Sequence, residues 1–207
     1  MDPIKMHPLM LRTARQVAVP LAAAMRSVGP PAWPRRDDQP VARYLAQIVV
    51  GQQLSTRAAA TIWQRIETLA HSRATAIPAL ALTGDLAALR ACGLSADKLR
   101  CLQGLAAAEA SGELQREPLA QLAPAARATR LTALRGVGPW SADMLALFYF
   151  RDPDIWPLGD LAVRKTFAHF LKDQPGVDLT AAAAVFAPRR SLLALYLWRI
   201  ANTLSLA

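Results

Sequence analysis

The sequence predicts an all-α protein, and three observations carry that prediction. Apolar residues recur at helical spacing along most of the chain. No run alternates with period two for long enough to make a convincing strand. Prolines, glycines and serines fall where periodic segments begin and end. With 207 residues, 53% of them hydrophobic and 19% charged, the chain can bury a sizeable core, as one large domain or two joined lobes.

Residues 14–27 read as an apolar helix that ends before Gly29-Pro30-Pro31, and a loop with Trp33, Arg35, Arg36, Asp37 and Asp38 follows. Over 41–50 the pattern is helical, with Tyr44, Leu45, Ile48 and Val49 on one face. Gly51-Gln52-Gln53-Leu54 interrupts it, and Ser55 is placed to cap a helix ending near His71. Short helices are expected at 77–82 and 85–91, and Ser95 caps a longer one to about Ala110. Pro124 suits the first turn of a helix to Leu134. Gly136-Val137-Gly138 breaks it, and Pro139 opens the next, to about Phe150. After an irregular stretch, 151–159, helices near 160–171, 179–186 and 189–203 complete the chain.

The balance of 24 Lys+Arg against 15 Asp+Glu gives +9, spread along the chain, which favours a polyanionic partner such as nucleic acid. Two cysteines, Cys92 and Cys101, exclude a disulfide-dense scaffold and a four-thiolate cluster and fit a reduced cytosolic protein. No uncharged stretch reaches the roughly 18–20 residues that span a bilayer, so no membrane association is expected. The apolar run 16–25 resembles a signal-peptide core, but Asp2 ahead of it and Pro20 within it argue against export. His7, His71 and His169 show no metal-ligand spacing.

Two segments can carry chemistry. In Leu134-Arg135-Gly136-Val137-Gly138-Pro139-Trp140-Ser141-Ala142, two glycines permit a sharp turn with bare amides, and Pro139 starts a helix whose N–H groups favour an anion. A phosphate docked there would be held without base readout, although an ordinary helix–helix turn also favours glycine. In Asp154-Ile155-Trp156-Pro157-Leu158-Gly159-Asp160-Leu161, Asp160 stands at a helix start, the usual place for an N-cap. The apolar neighbours Trp156, Pro157, Leu158 and Leu161 would desolvate it while the helix N-terminus keeps it ionised. Such a group suits stabilisation of a cationic transition state or activation of water. Trp63 and Tyr44 read as core, Trp33 and Trp156 as loop packing, Asp143 as a surface carboxylate, and Arg164 and Lys165 as either phosphate contacts or a solvated face.

This pair of segments resembles the helix-hairpin-helix base-excision DNA glycosylase superfamily. Three other stretches agree: Tyr44 to Ser55 with the family's early helix and damage-probing loop, Leu89 to Lys98 with its middle turn, and Pro188-Arg189-Arg190-Ser191 with Trp198 following. That last stretch is similar to the final helix of the 3-methyladenine DNA glycosylase II branch. The resemblance spans residues 41–200. It implies a two-lobed helical fold with a cleft for DNA, lobe one being 41–142 with the hairpin at 134–142, and lobe two 1–40 with 143–207.

By the same resemblance Asp160 is the catalytic carboxylate. The hairpin backbone at Gly136, Val137, Gly138 and Pro139 grips a phosphate, with a monovalent Na or K ion at its carbonyls in some members. Trp140 stands where base-and-backbone-cleaving relatives place a nucleophilic lysine, so lyase activity is not expected. Trp140, Trp198 and Met144 match base-pocket positions, Met144 replacing a tyrosine, and Arg199 falls where another aromatic can occur. Gln53 or Leu54 fills the gap left by an extruded nucleotide. The implied function is a monofunctional DNA glycosylase for alkylated purines, 3-methyladenine and 7-methylguanine among them, in double-stranded DNA. It would act as a cytoplasmic monomer on the chromosome and carry no iron–sulfur cluster. The alternatives are a glycosylase for oxidised or deaminated bases and a non-catalytic module that binds damaged DNA.

Overall fold

The computed structural model describes residues 1–82, 86–174 and 176–204, and the described residues contain helices and no strand. They form two compact units, one continuous over 36–150, the other joining 1–35 to 151–207.

The continuous unit is built around α3 (Val41–Gly51), which packs against α4 (Thr56–Ser72), α5 (Ile77–Leu80), α7 (Ala96–Ala110) and α10 (Pro139–Leu145). The sequence marks one face of α3. The structure buries nearly all of it, including Val41, Ala42, Ala46 and Val50, because neighbours cover it on several sides. Ser55 and Ser95 cap α4 and α7 as expected, their hydroxyls accepting from Ala58 N at 3.2 Å and Lys98 N at 3.3 Å. Two short helices, α6 (Leu86–Ala91) and α8 (Arg116–Gln121), and α9 (Pro124–Thr132) complete the unit. Position 85, expected to start α6, lies outside the described residues. The helix that Pro139 opens does not stay α-helical to Phe150: α10 passes into a π-helical turn at Ala146–Phe150.

The unit boundaries fall at 35/36 and 150/151, not at 40/41 and 142/143. Tyr149 Oη donates to the Gln39 carbonyl at 2.8 Å, and its ring stacks on Tyr44 at 6.0 Å. Arg116 pairs with Asp37 at 3.0 Å. These contacts tie 36–40 and 143–150 to the continuous unit.

In the other unit, α13 (Arg190–Leu204) packs against α2 (Val19–Val28), α11 (Leu161–Phe170) and α12 (Leu179–Ala184), and α1 (Pro3–Val17) packs on α2. The single helix expected over 14–27 is two helices. Ala18 is extended, and Pro20, which has no N–H to donate, occupies the first turn of α2. The N-terminal part of α1, unexpected from sequence, contains Pro8 within its length. No described helix is long and apolar enough to cross a membrane.

Candidate active site

In the continuous unit the hairpin turns at Gly136, whose φ of +81° lies in the left-handed region. A Cβ there would lie 2.7 Å from Cys101 Sγ and 2.8 Å from Cys101 Cβ, so α7 also demands glycine. Gly138 differs. It is extended (φ −86°, ψ 177°), as the N-cap of α10, and an added Cβ would meet nothing within 4 Å. The turn therefore needs only one of the two glycines. At Gly138 the lack of a side chain leaves the start of α10 open to an incoming group. Val137 is buried, anchoring the turn from below, and Pro139 is exposed at the first position of α10.

The loop between α3 and α4 is fastened to this hairpin by a residue that sequence reasoning missed. Gln52 Nε2 donates to the Gly136 carbonyl at 3.2 Å and to Ser141 Oγ at 2.9 Å, and Ser141 is buried. Lys98 Nζ donates to the carbonyls of Val50 and Gln52 at 2.8 and 2.9 Å, closing the end of α3, and burial lowers its pKa. Between these anchors Gln53 is exposed with φ +58°, a strained conformation for a non-glycine residue. Its neighbour Leu54 is 39% exposed.

Leu54 and Trp140 border one cavity of about 490 Å³, whose wall includes Ile48, Trp63, Gln47 and Glu67. Trp63 is buried, as its helical face suggests, yet it also forms cavity wall. Met144 is buried one turn beyond Trp140 on α10 and is not part of that wall. Asp143, expected at the surface, is partly buried, and desolvation pushes its carboxyl up to about 6.

In the other unit Asp160 caps α11, its Oδ1 accepting from Val163 N at 3.0 Å. The same oxygen accepts from Trp198 Nε1 at 3.0 Å. The cap reading and the functional reading thus describe one partly buried side chain, and Trp198 is brought to it from α13. Of the four apolar neighbours of Asp160 in sequence, Leu158 and Leu161 are themselves 36% and 52% exposed. Trp156 packs edge-on against Phe167, 5.4 Å between centroids, and Pro157 is buried.

The loop before Asp160 is fixed by the start of α13. Arg190 Nε and Nη2 donate to Asp154 Oδ1 and Oδ2 at 2.8 and 2.7 Å, which holds the Asp154 carboxyl below its ordinary pKa. Ser191 Oγ donates to the Asp152 carbonyl at 2.6 Å and accepts from Ile155 N at 2.9 Å. The Pro188 to Ser191 stretch thereby acquires a structural purpose, holding the backbone of the loop that leads to Asp160. Arg199 donates to the Pro30 carbonyl at 2.9 Å, the Arg151 guanidinium lies 5.1 Å from the centre of the buried Trp33 ring, and Arg164 and Lys165 are exposed. Among the described residues no group of three His, Cys, Asp or Glu side chains could hold a metal.

Comparison with known proteins gives a consistent result. DNA-3-methyladenine glycosylase 1 of Schizosaccharomyces pombe is 30% identical over 160 residues, 75% of this chain and 70% of that protein. A putative DNA-3-methyladenine glycosylase of Bacillus subtilis is 32% identical over 93 residues, covering 44% of this chain and 32% of its own length. Among solved structures, the S. pombe 3-methyladenine DNA glycosylase in complex with abasic DNA superposes with a TM-score of 0.78 at 25% identity, over 92% of this chain and 97% of that one. DNA-3-methyladenine glycosidase of Bacillus halodurans shares the fold, with a TM-score of 0.77 at 24% identity over 99% and 91%. No protein-family model matches the chain.

Proposed function

The chain belongs to the DNA-3-methyladenine glycosylases of the helix-hairpin-helix superfamily, and from that membership we infer a monofunctional enzyme that hydrolyses the N-glycosidic bond of alkylated purines in double-stranded DNA. The observation that carries this reading is Asp160, a partly buried carboxylate whose Oδ1 is fixed by a helix N-terminus and by the Trp198 indole.

A base stacked in a duplex is inaccessible, and extruding it costs a few kcal/mol. Gln53, displayed at the tip of the probing loop, is the side chain suited to fill the gap, while Leu54 belongs to the cavity wall. The hairpin offers a phosphate the backbone amide of Gly138, which would position the DNA without reading sequence, whereas the Val137 N–H is spent on the Leu134 carbonyl at 3.1 Å within the turn. A monovalent cation at the hairpin carbonyls would add positive charge for the same phosphate. The Gly136 carbonyl accepts from Gln52, and an oxygen with two lone pairs can take a second partner.

An N3- or N7-alkylated purine is already cationic and leaves without a general acid. The aromatic face of Trp140 attracts it, by roughly 0.5–2 kcal/mol depending on desolvation. As the bond breaks, positive charge moves to the sugar, as in glycoside hydrolysis. The Asp160 anion stabilises that charge and orients the attacking water. Position 140 carries no amine, so no Schiff base with the sugar forms and the strand stays intact. The enzyme on this reading works as a cytoplasmic monomer on the chromosome and needs no organic cofactor or iron–sulfur cluster.

The test is incubation with methylated duplex DNA. Free methylated purines and strands that break only after alkali treatment are expected. Strand cleavage without alkali would refute the monofunctional assignment, and no released base would refute the activity.

A further inference from the structure

We propose that Glu67 makes the cavity beside Trp140 selective for purines that carry positive charge. The inference rests on that cavity receiving the extruded base. Its volume of about 490 Å³ is within the range of small-molecule sites. Glu67 is the only charged side chain in its wall among the described residues.

The carboxylate is held by an ion pair. Arg43 Nη2 donates to Glu67 Oε1 at 2.5 Å, and Arg43 Nε donates to Gln39 Oε1 at 3.1 Å. The Arg43 guanidinium also lies 5.5 Å from the centre of the Trp63 ring. Glu67 borders this cavity without Arg43, and borders a second one, of about 600 Å³, together with it. Gln47, partly buried in the same wall, has a side-chain amide with no hydrogen-bond partner among the described residues, and it can address the edge of either kind of base.

A cationic alkylpurine gains Coulomb attraction from Glu67 that a neutral hypoxanthine does not. The same chemistry limits where the gain appears. The purine loses its charge as it departs, so Glu67 stabilises the captured cation more than the transition state. Its signature is a lower KM for cationic substrates, without a higher kcat.

The experiment compares the native protein with Glu67→Gln and Glu67→Asp on methylated duplex DNA, hypoxanthine-containing duplex, and abasic duplex as a base-free control. Glu67→Gln is expected to raise KM on methylated DNA about fivefold with kcat undiminished, since Glu67 is partly solvated. Hypoxanthine release and affinity for abasic DNA should not change. Glu67→Asp keeps the charge and should stay within about twofold of native KM. An unaltered KM in Glu67→Gln, or an equal loss of abasic DNA affinity, would overturn the proposal while leaving the glycosylase reading intact. No release of methylated base by the native protein would overturn both.

Discussion

Replacing Gly136 by alanine perturbs the hairpin in a way whose cost follows from geometry. A φ of +81° costs an L-residue about 1–2 kcal/mol relative to glycine. The new methyl would lie 2.7 Å from Cys101 Sγ and 2.8 Å from its Cβ, where carbon atoms prefer about 3.5–4 Å. Cys101 is 1% exposed on α7, and its Cβ is rooted in the helix backbone, so relief requires α7 or the turn to shift. Overpacking of this kind costs about 1–3 kcal/mol. The sum, about 2–5 kcal/mol, corresponds to a fall in Tm of roughly 5–15 °C for a chain of this size. Thermal and urea melts of Gly136→Ala, Gly138→Ala and the native protein measure it. Gly138→Ala should melt within about 0.5 kcal/mol of native, because its backbone is extended and its surroundings open. Any loss of DNA affinity in that variant then reports a covered amide. Cys101→Ala should rescue Gly136→Ala only in part, since Cβ remains. Native-like melting of Gly136→Ala, or equal destabilisation of the two variants, would refute the assignment of separate roles.

Three further outcomes are expected. Trp198→Phe deletes the indole donor to Asp160, a hydrogen bond to a charged group worth about 1.5–3 kcal/mol, so base release should slow about 10- to 100-fold while abasic DNA binding persists. Asp143 has its carboxyl raised from 3.8 to about 6, so the folded state binds the proton more tightly and loses stability as pH rises between those values. Asp143→Asn should therefore gain about 1–2 kcal/mol over native on going from pH 4 to pH 7, read from urea midpoints, and a pH-independent difference would exclude this origin. Gln53→Gly relieves a positive φ at the cost of a freer unfolded chain, so stability should hold or rise by about 0.5 kcal/mol while methylated-base release falls; unchanged release would remove Gln53 from the gap-filling role.

Punctuation and local chemistry are legible in the sequence. Ser55, Ser95 and Pro124 mark their helix starts because a cap or an N1 proline acts on its own next turn. Asp160 can be placed for the same reason, its cap bond running three residues along the chain. Long-range contacts leave no such trace. Gln52 reaches across 84 residues to Gly136, and Lys98 reaches back to Val50, by hydrogen bonds that no periodicity encodes. The adjacency of Gln52 and Gly51 at a helix end is the only hint of the first. Spacing alone assigns Gly138 to the turn, because spacing cannot report φ. Asp143 reads as exposed because its burial depends on how α10 packs. Pro8 conceals α1 for the opposite reason: proline reads as a breaker, and here it sits inside the helix.

On this reading the Asp160 carboxylate carries the hydrolysis. The most direct measurement of that role is single-turnover release of methylated purine from duplex DNA by Asp160→Asn beside the native protein, with abasic DNA affinity recorded for both. Asparagine can still accept from Val163 N and Trp198 Nε1, so the fold and DNA binding should be retained while release falls by at least about 100-fold. Release at the native rate by Asp160→Asn would contradict the account.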